Sequence, residues 1–331
     1  MKLIAVDVGY SATKALSSDE ASAIFPSVVG TPVPEGTFSF NENQRALAVT
    51  GNGHYVPVGD TALTQSQYVS GRLDPEWVLS QDWMTLFQAG LSELITTPLA
   101  KVNVVVGLPV GDYNRFSVQL KERLVHTFAF RRYGRDTQRV EVTEARVLTQ
   151  PFGALLDMAL DDAGHVRNAQ WADGYVGVVD IGGNTMNLLA VDRLAEVPQS
   201  TMSDEFGLLR ALDSVRGVLR SSFRGFNPDT HEVSEWLAKG SFRYHAEDVD
   251  IWPYAEPFLL DLVNVMMTVI HKRWSESGRF DAVLLAGGGA AVIGRYLKSR
   301  MQDFANVNIA PNPRWANVRG YLKYARRVWS G

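Results

Sequence analysis

The chain has 331 residues, of which 46% are hydrophobic and 21% charged, and its net charge is −4. One hydrophobic core seldom supports this length, so we expect two domains. The acidic balance argues against a general nucleic-acid-binding surface. The absence of cysteine excludes disulfides, thiolate metal sites and cysteine nucleophiles.

Neither a targeting segment nor a membrane span is predicted. The N-terminal apolar run is broken by Asp7, and the longest apolar block, residues 258–270, contains Asp261 and Asn264. The six histidines lack the paired spacing typical of zinc sites. We therefore expect a cytoplasmic protein with no membrane partner and no zinc.

The first candidate site is the opening stretch. Residues 3–8 form an apolar, strand-like run that carries Asp7, turns through Gly9 and continues to Lys14. A carboxylate at a strand end can position hydrated Mg²⁺, and the following turn offers N–H groups and a cation to phosphates. Taken alone, the pattern favours an ordinary Asp-x-Gly hairpin.

Mixed strands and helices follow in the first half. Turn residues, caps and apolar periods predict strands at 14–16 and 21–25, a small peripheral subdomain at about 28–60, a helix from Pro75 to Gly90 and a strand at 102–108. A helix capped by Asp112 should then run to about His126, with Phe116, Leu120, Leu124 and Val125 on its inner side. Strands at 127–132 and 139–148 around a turn at 133–136, and a helix at 151–160, complete this half.

Residues 175–185 repeat the opening pattern. After a polar boundary segment at 164–174, a strand-like run reaches Asp180, turns through Gly182 and Gly183, and enters a second strand at 186–191. Two turns related by duplication could face each other across a cleft and hold one phosphate chain from both sides. The repeat therefore shifts the interpretation from a hairpin to nucleotide binding.

Helices dominate the rest of the chain. They are predicted at 204–222, 228–239 and 253–274, and the last should be buried between layers because 258–270 is apolar almost all round. A strand at 280–286 enters the glycine triplet 287–289, and then come a helix at 291–301, a strand at 306–309 and a helix at 313–329. That final helix should expose five basic residues, which are Arg314, Arg319, Lys323, Arg326 and Arg327. A solvated helix face is the favoured interpretation, ahead of direct contact with DNA.

The glycine triplet could let the backbone approach a nucleoside closely. It is not G-x-G-x-x-G, and the chain has no G-x-x-x-x-G-K-[ST] sequence, so dinucleotide-binding and P-loop folds are disfavoured. By itself the triplet equally fits a tight turn between a strand and a helix.

Together these features resemble the actin-like ATPases, a superfamily that also includes sugar kinases and seventy-kilodalton heat-shock chaperones. Residues 7–14, 180–185 and 286–290 are similar to its first phosphate, second phosphate and adenosine motifs. Within it, the chain is most similar to the plasmid-segregation actins of the ParM (StbA) type and their archaeal relatives. That similarity depends on short features, which are Asp-Val-Gly-Tyr-x-x-x-Lys at the start, Phe25-Pro26-Ser27, Tyr55-x-x-x-Gly59, and Gly107-Leu108-Pro109-Val110 with Tyr113.

The resemblance implies an α/β, ribonuclease-H-like duplicated fold of two domains with the nucleotide in the interdomain cleft. Domain I would comprise residues 1–168 and the C-terminal helix 313–331, and domain II would comprise 169–312. It also implies ATP or ADP with Mg²⁺, hydrolysis coupled to head-to-tail filaments of this chain, and a DNA-binding adaptor of the ParR type.

The resemblance further assigns roles to single residues. Asp7 and Asp180 would hold Mg²⁺ through water, Lys14 would pair with the β- and γ-phosphates, and Gln150 would orient the attacking water. As an alternative, Gln150 is a polar strand-end residue beside Pro151; ParM-type proteins have Glu at this place, which leaves the hydrolysis rate open. The other expected nucleotide contacts are Gly9, Tyr10, Ser11, Gly182, Gly183, Asn184, Thr185, Glu205, Gly207, Gly287, Gly288 and Gly289.

Two further functions stay open for such a chain. A non-polymerising small-molecule kinase of the same fold should carry an additional Asp aimed at a substrate hydroxyl, and no motif of that kind is found. The second open function is a filament that sets cell shape or positions an organelle.

Overall fold

The computed structural model describes residues 1–34, 46–49, 54–66, 76–132 and 135–330. Contacts divide the chain into two units, one of Met1–Arg167 with Asn317–Gly331 and one of Asn168–Ala316. Among the described residues, no helix is both long enough and apolar enough to cross a membrane.

The first unit is built on one mixed sheet. Its nine described strands are β1 Lys2–Val8, β2 Ala12–Ser17, β3 Ser22–Pro26, β4 Val33–Pro34, β5 Ala46–Val49, β6 His54–Pro57, β7 Leu99–Leu108, β8 Thr127–Arg132 and β9 Thr137–Thr149. They pair in the order β3-β2-β1-β7-β9-β8-β5-β6-β4. The central strand β1 is apolar and buried along nearly its whole length, as expected for a strand covered on both faces.

Helices of the first unit cover this sheet. They are α1 Asp60–Gln65, α2 Gln81–Leu94, α3 Val110–Leu124, α4 Gln150–Ala159 and, from the C-terminal segment, α10 Ala316–Trp329. One hydrophobic core joins α2 and α3 to the central strands through side chains such as Phe87, Leu120 and Val104.

The second unit has a smaller sheet. Its strands are β10 Tyr175–Ile181, β11 Met186–Asp192, β12 Ala195–Glu196, β13 Met202–Asp204, β16 Ala282–Ala286 and β17 Val307–Ile309, with a separate hairpin of β14 Ser241–Tyr244 and β15 Glu247–Asp250. The helices are α5 Ala169–Asp173, α6 Leu208–Ser222, α7 Thr230–Lys239, α8 Trp252–Arg273 and α9 Gly287–Arg300.

The two sheets share a central topology. In the first, β1 pairs antiparallel with β2 and parallel with β7, and β7 pairs parallel with β9. In the second, β10 pairs antiparallel with β11 and parallel with β16, and β16 pairs parallel with β17. The repeated sequence pattern therefore corresponds to a repeated hairpin on the same strands of each sheet.

Several predicted helix starts are wrong. The helix expected from Pro75 begins at Gln81, because Ser80 caps it by accepting a hydrogen bond from the Trp83 N–H, while Trp77–Leu79 form a separate 3-10 turn. Pro75 and residues 133–134 of the predicted turn lie outside the described residues. So do residues 35–45 and 50–53 of the predicted peripheral subdomain; its described strands β5, β6 and β4 extend the main sheet beyond β8.

The predicted cap and inner face of α3 also need correction. The helix begins at Val110 after Pro109, which places Asp112 within its first turn and not at its cap. Phe116, Leu120 and Leu124 are buried as predicted, but Val125 lies beyond the last turn and is 44% exposed.

Helix α8 is not buried all round, contrary to the prediction. Its core-facing residues, such as Leu259, Val263 and Ile270, are fully buried, whereas Val265 on the opposite side is 41% exposed. The cause is that the helix packs on α6 and α9 with one side only, so one stripe of its apolar surface is covered.

The C-terminal helix α10 differs most from its prediction. Arg314 and Arg327 are exposed as predicted, whereas Lys323 is buried and Arg319 is half-buried. Both pair with the buried carboxylate of Asp157 in α4. Arg326 and Arg327 donate to the backbone carbonyls of Asp162 and Gly164. These four cations hold the helix within its own unit.

Candidate functional site

The first turn brings Asp7 and Lys14 together with Gln150, which lies 143 residues from Asp7 in sequence. In the β1–β2 hairpin Asp7 lies opposite Lys14, and the Lys14 ammonium contacts Oδ2 of Asp7 at 2.9 Å. From the start of α4, Nε2 of Gln150 donates to Oδ1 of the same carboxylate at 3.0 Å. Asp7, Lys14 and Gln150 are all less than 10% exposed.

This network fixes the orientation of the Gln150 amide. A carboxylate can only accept hydrogen bonds, so the nitrogen of the amide must face Asp7. The amide oxygen is then the atom that can accept a hydrogen bond from a water molecule. Gln150 is the first residue of α4 and not a strand-end residue, so the helix sets its position.

The turn that follows Asp7 is closed by its own backbone. The Gly9 N–H donates to the Ala12 carbonyl at 3.2 Å. Tyr10 points its ring onto Trp77, with the ring centres 5.1 Å apart, so this side chain packs within the unit. Ser11 is exposed, and its carbonyl accepts from the Ser27 N–H at 3.0 Å.

The second turn has the same construction. The Gly182 N–H donates to the Thr185 carbonyl at 2.8 Å, just as Gly9 donates to the residue three positions later. Asp180 is only 3% exposed. Gly183 and Asn184 at the tip are half-buried, so their polar groups are partly open to solvent.

Asn187 is a site residue that the sequence reasoning missed. It lies opposite Asp180 in the β10–β11 hairpin, the place that Lys14 has opposite Asp7, and it is completely buried. The Ser203 hydroxyl donates to its Oδ1 at 2.9 Å, and its Nδ2 lies 3.5 Å from the Thr185 hydroxyl. The signal was the shared spacing of seven residues from each Asp.

The start of α6 supports this second turn from behind. The N–H groups of Leu208 and Leu209 donate to the carbonyls of Gly182 and Gly183 at 3.1 and 2.8 Å. A Cβ on Gly207 would collide with the Gly183 carbonyl, so this close approach requires glycine. The helix was predicted from Asp204 but begins at Leu208, because residues 202–204 form β13. Glu205 is exposed.

The glycine triplet forms the first turn of α9 and not a loop ahead of it. Gly287 has φ +85°, and a Cβ there would meet Oδ1 of Asp180. Gly289 packs on the side chain of Ile181, whereas a Cβ on Gly288 would meet no atom within 4 Å. The triplet therefore lies directly beside Asp180, with Gly288 facing open space.

The acidic side chains fit a hydrated Mg²⁺ and not a protein-enclosed one. Among the described residues, no three His, Cys, Asp or Glu side chains cluster in a way that could hold a metal. Each carboxylate oxygen of Asp7 can accept more than one hydrogen bond, so it can still bind an ion's water. Mg²⁺ commonly takes one or two carboxylates and obtains its other ligands from water and phosphate.

Comparison with known families decides the assignment. Residues 5–153 match the family model of the N-terminal domain of actin-like proteins, and residues 178–299 match the model of the archaeal actin homologue MreB-like C-terminal domain. The chain belongs to the actin-like proteins. The resemblance predicted from the three motifs is thereby confirmed.

Relatives of this actin-like protein align over nearly its whole length. An archaeal actin homolog from Thermoplasma volcanium is 25% identical over 99% of both chains. An archaeal actin homolog solved in complex with ADP has 20% identity and a TM-score of 0.81 over 99% of this chain and 100% of that chain. A filament of ParM from Clostridium botulinum has 18% identity and a TM-score of 0.77, over 98% and 99%. The predicted actin-like fold is confirmed.

Proposed function

We propose that this chain binds Mg-ATP through both turns, hydrolyses it, and assembles with further copies of itself into filaments whose lifetime follows the bound nucleotide. The observation that carries the proposal is the buried contact of Asp7 with both Lys14 and Gln150. A charged pair and an amide held together out of water, next to a turn of backbone N–H groups, suit a phosphate chain and its nucleophile.

Each residue has a distinct task in this proposal. The Lys14 ammonium would neutralise charge on the β- and γ-phosphates, and the N–H groups of the two turns would bind phosphate oxygens. Asp7 and Asp180 would bind waters of Mg²⁺, which supplies further charge neutralisation when bound. The amide oxygen of Gln150 would orient the attacking water, since hydrolysis of a phosphoanhydride needs alignment more than a strong base.

Self-assembly and cargo are the finer parts of the proposal. The ParM relative was solved as a filament, and its fold is shared over almost the whole of this chain. We propose that filaments of this chain segregate DNA through a separate DNA-binding adaptor. A separate protein is needed because the net charge is −4 and the basic side chains of α10 are engaged within their own unit.

Titration calorimetry and light scattering test binding and assembly. The chain should bind one Mg-ATP, and both Asp7→Asn and Asp180→Asn should weaken binding, because each turn contributes. Scattering should rise on adding Mg-ATP and fall as phosphate is released. Absence of pelletable polymer over a wide range of concentration would refute self-assembly, and transfer of phosphate to a small molecule in place of water would identify a kinase.

Gln150→Ala should slow phosphate release by about 100-fold, because an unaligned water attacks less often. Assembly on Mg-ATP should be spared. Gln119→Ala changes the same residue type at an exposed position of α3 and serves as the control. Equal release rates in the two variants would exclude Gln150 from hydrolysis.

A further inference from the structure

Helix α10 contacts α4 from Gly153 to the C-terminal end of that helix. In the first turn of α4, a Cβ on Gly320 of α10 would overlap the carbonyl oxygen of Gly153. A Cβ on Gly153 would in turn lie 2.6 Å from the carbonyl oxygen of Asn317. The two backbones therefore touch, which only glycine permits at both positions.

Tyr321 fills the space beside this crossing. It is completely buried, and its ring lies where a Cβ on Gly107 of β7 or on Gly153 of α4 would be. A large rigid side chain thus fixes the separation between α4 and the sheet, since neither helix nor strand can approach further without a clash.

Charge holds the last turn of α4. The buried Asp157 carboxylate accepts from Nε of Arg319 at 3.0 Å and contacts the Lys323 ammonium at 2.9 Å. Lys323 also donates to the carbonyls of Asp157 and Leu160 at 2.8 and 3.1 Å. These carbonyls lie at the C-terminal end of α4, where a cation is stabilising.

Gln150 is the first residue of the helix that is held in this way. Its amide must lie within hydrogen-bond distance of Asp7, and a displacement of about 1 Å at a reacting group can cost roughly 100-fold in rate. Because α4 is one continuous helix from Gln150 to Ala159, fixing the position of its last turn also fixes the position of Gln150.

We propose that Asp157 is a positioning residue for Gln150: its ion pairs with Arg319 and Lys323 fix α4 on α10 and thereby hold the Gln150 amide on Asp7. This inference rests on the proposed function. It adds a purpose for the basic residues of the C-terminal helix, which is to align the amide that orients the attacking water.

The test compares Asp157→Asn with Asp162→Asn. Both remove one negative charge close to Lys323, but the Asp162 side chain is 92% exposed and its oxygen lies 3.9 Å from the ammonium. Asp157→Asn should slow single-turnover hydrolysis by about 10-fold and change Mg-ATP affinity less than about twofold. Asp162→Asn should change neither.

A double-mutant cycle separates positioning from general destabilisation. In the Gln150→Ala background, Asp157→Asn should cause no further loss of rate, because the group that it positions is gone. If the fold-losses in hydrolysis rate of the two single variants multiply in the double variant, the inference is overturned. If Asp157→Asn does not fold, Arg319→Ala removes a half-exposed partner instead and should show a smaller loss with the same non-additivity.

A measurement without nucleotide tests the inference independently of the proposed function. The side-chain amide signals of Gln150, identified by their loss in Gln150→Ala, should shift and exchange faster in Asp157→Asn and not in Asp162→Asn. Unchanged amide signals would overturn the inference even where hydrolysis is observed. A wild-type chain that does not hydrolyse ATP would refute the proposed function, whatever these amide signals show.

Discussion

Two lysine–carboxylate pairs with equal N–O distances show how burial determines the contribution of an ion pair to stability. Lys14 and Asp7 are 2.9 Å apart with side chains 11% and 3% exposed, while Lys101 and Glu141 are 2.9 Å apart with side chains 68% and 43% exposed. Water screens the second pair, so it contributes little to stability. Loss of one partner from the first pair would leave a buried charge without its ion-pair partner.

Lys14→Met should therefore lower the free energy of unfolding by about 3 kcal/mol, and Lys101→Met by less than about 1 kcal/mol. Urea unfolding of the two variants measures the difference. Lys14→Met should also weaken Mg-ATP binding, because it removes the cation of the first turn. Equal destabilisation by both substitutions would show that burial of the Asp7 pair has no energetic consequence.

Two aspartates of the first unit should respond to pH in opposite directions. Burial raises the pKa of the Asp112 carboxyl above its ordinary value of 3.8, with Arg115 opposing the effect. The backbone N–H of His165, with that of Ala163, lowers the pKa of Asp161 below 3.8. Ionised Asp112 thus disfavours the folded state at neutral pH, and ionised Asp161 favours it.

Asp112→Asn should raise the free energy of unfolding at pH 7, and the gain should shrink as the pH falls to 3.8, where the carboxyl is increasingly protonated in both states. Asp161→Asn should lower the free energy of unfolding at pH 7. This loss of stability should shrink as the pH falls below 3.8 and through the lowered pKa of Asp161 in the folded state. Urea unfolding at several pH values measures both. Shifts of the same sign would contradict this assignment.

At the scale of elements, the first turn of α9 has two neighbouring glycines with different constraints. Gly287 combines a φ of +85° with a close approach to Asp180, whereas Gly288 faces open space. A side chain at Gly287 must both adopt a strained backbone conformation and push against a buried carboxylate. A side chain at Gly288 meets nothing in the protein.

Gly287→Ala should therefore lower the melting temperature, while Gly288→Ala should leave it nearly unchanged. If the triplet binds the nucleoside, Gly288→Ala should still weaken binding of ATP, because its methyl group would occupy the open space. Thermal unfolding and calorimetry on the two variants separate these effects. Unchanged binding by Gly288→Ala would exclude this part of α9 from the nucleotide site.

For the whole molecule, the repeated hairpins make a prediction about cooperation between the units. If both turns bind one nucleotide, Mg-ADP should slow hydrogen exchange of the amides at Gly9–Ala12 and at Gly182–Thr185 to similar extents. The hairpin of β14 and β15, outside both turns, serves as the internal reference. Protection of one turn alone would indicate that only one unit binds the nucleotide.

Much of this architecture follows from local patterns in the sequence. Alternation between apolar runs and turn residues places the strands on either side of Asp7 and Asp180, and the spacing of these motifs indicates the actin-like family. A short apolar run with an acidic end and a glycine turn forms a hairpin for reasons within ten residues of chain, so both copies could be recognised without a structure.

Tertiary structure alone decided how those elements meet. Strand pairing places Lys14 opposite Asp7, and α4 brings Gln150 to Asp7 from 143 residues away in sequence. Strand pairing likewise places Asn187 opposite Asp180. The basic stripe of α10 looked like a solvated face because helical periodicity does not show which face meets a neighbour. The buried carboxylate of Asp157 lies in the helix that contacts α10 through two glycines, and its ion pairs turn Arg319 and Lys323 away from solvent.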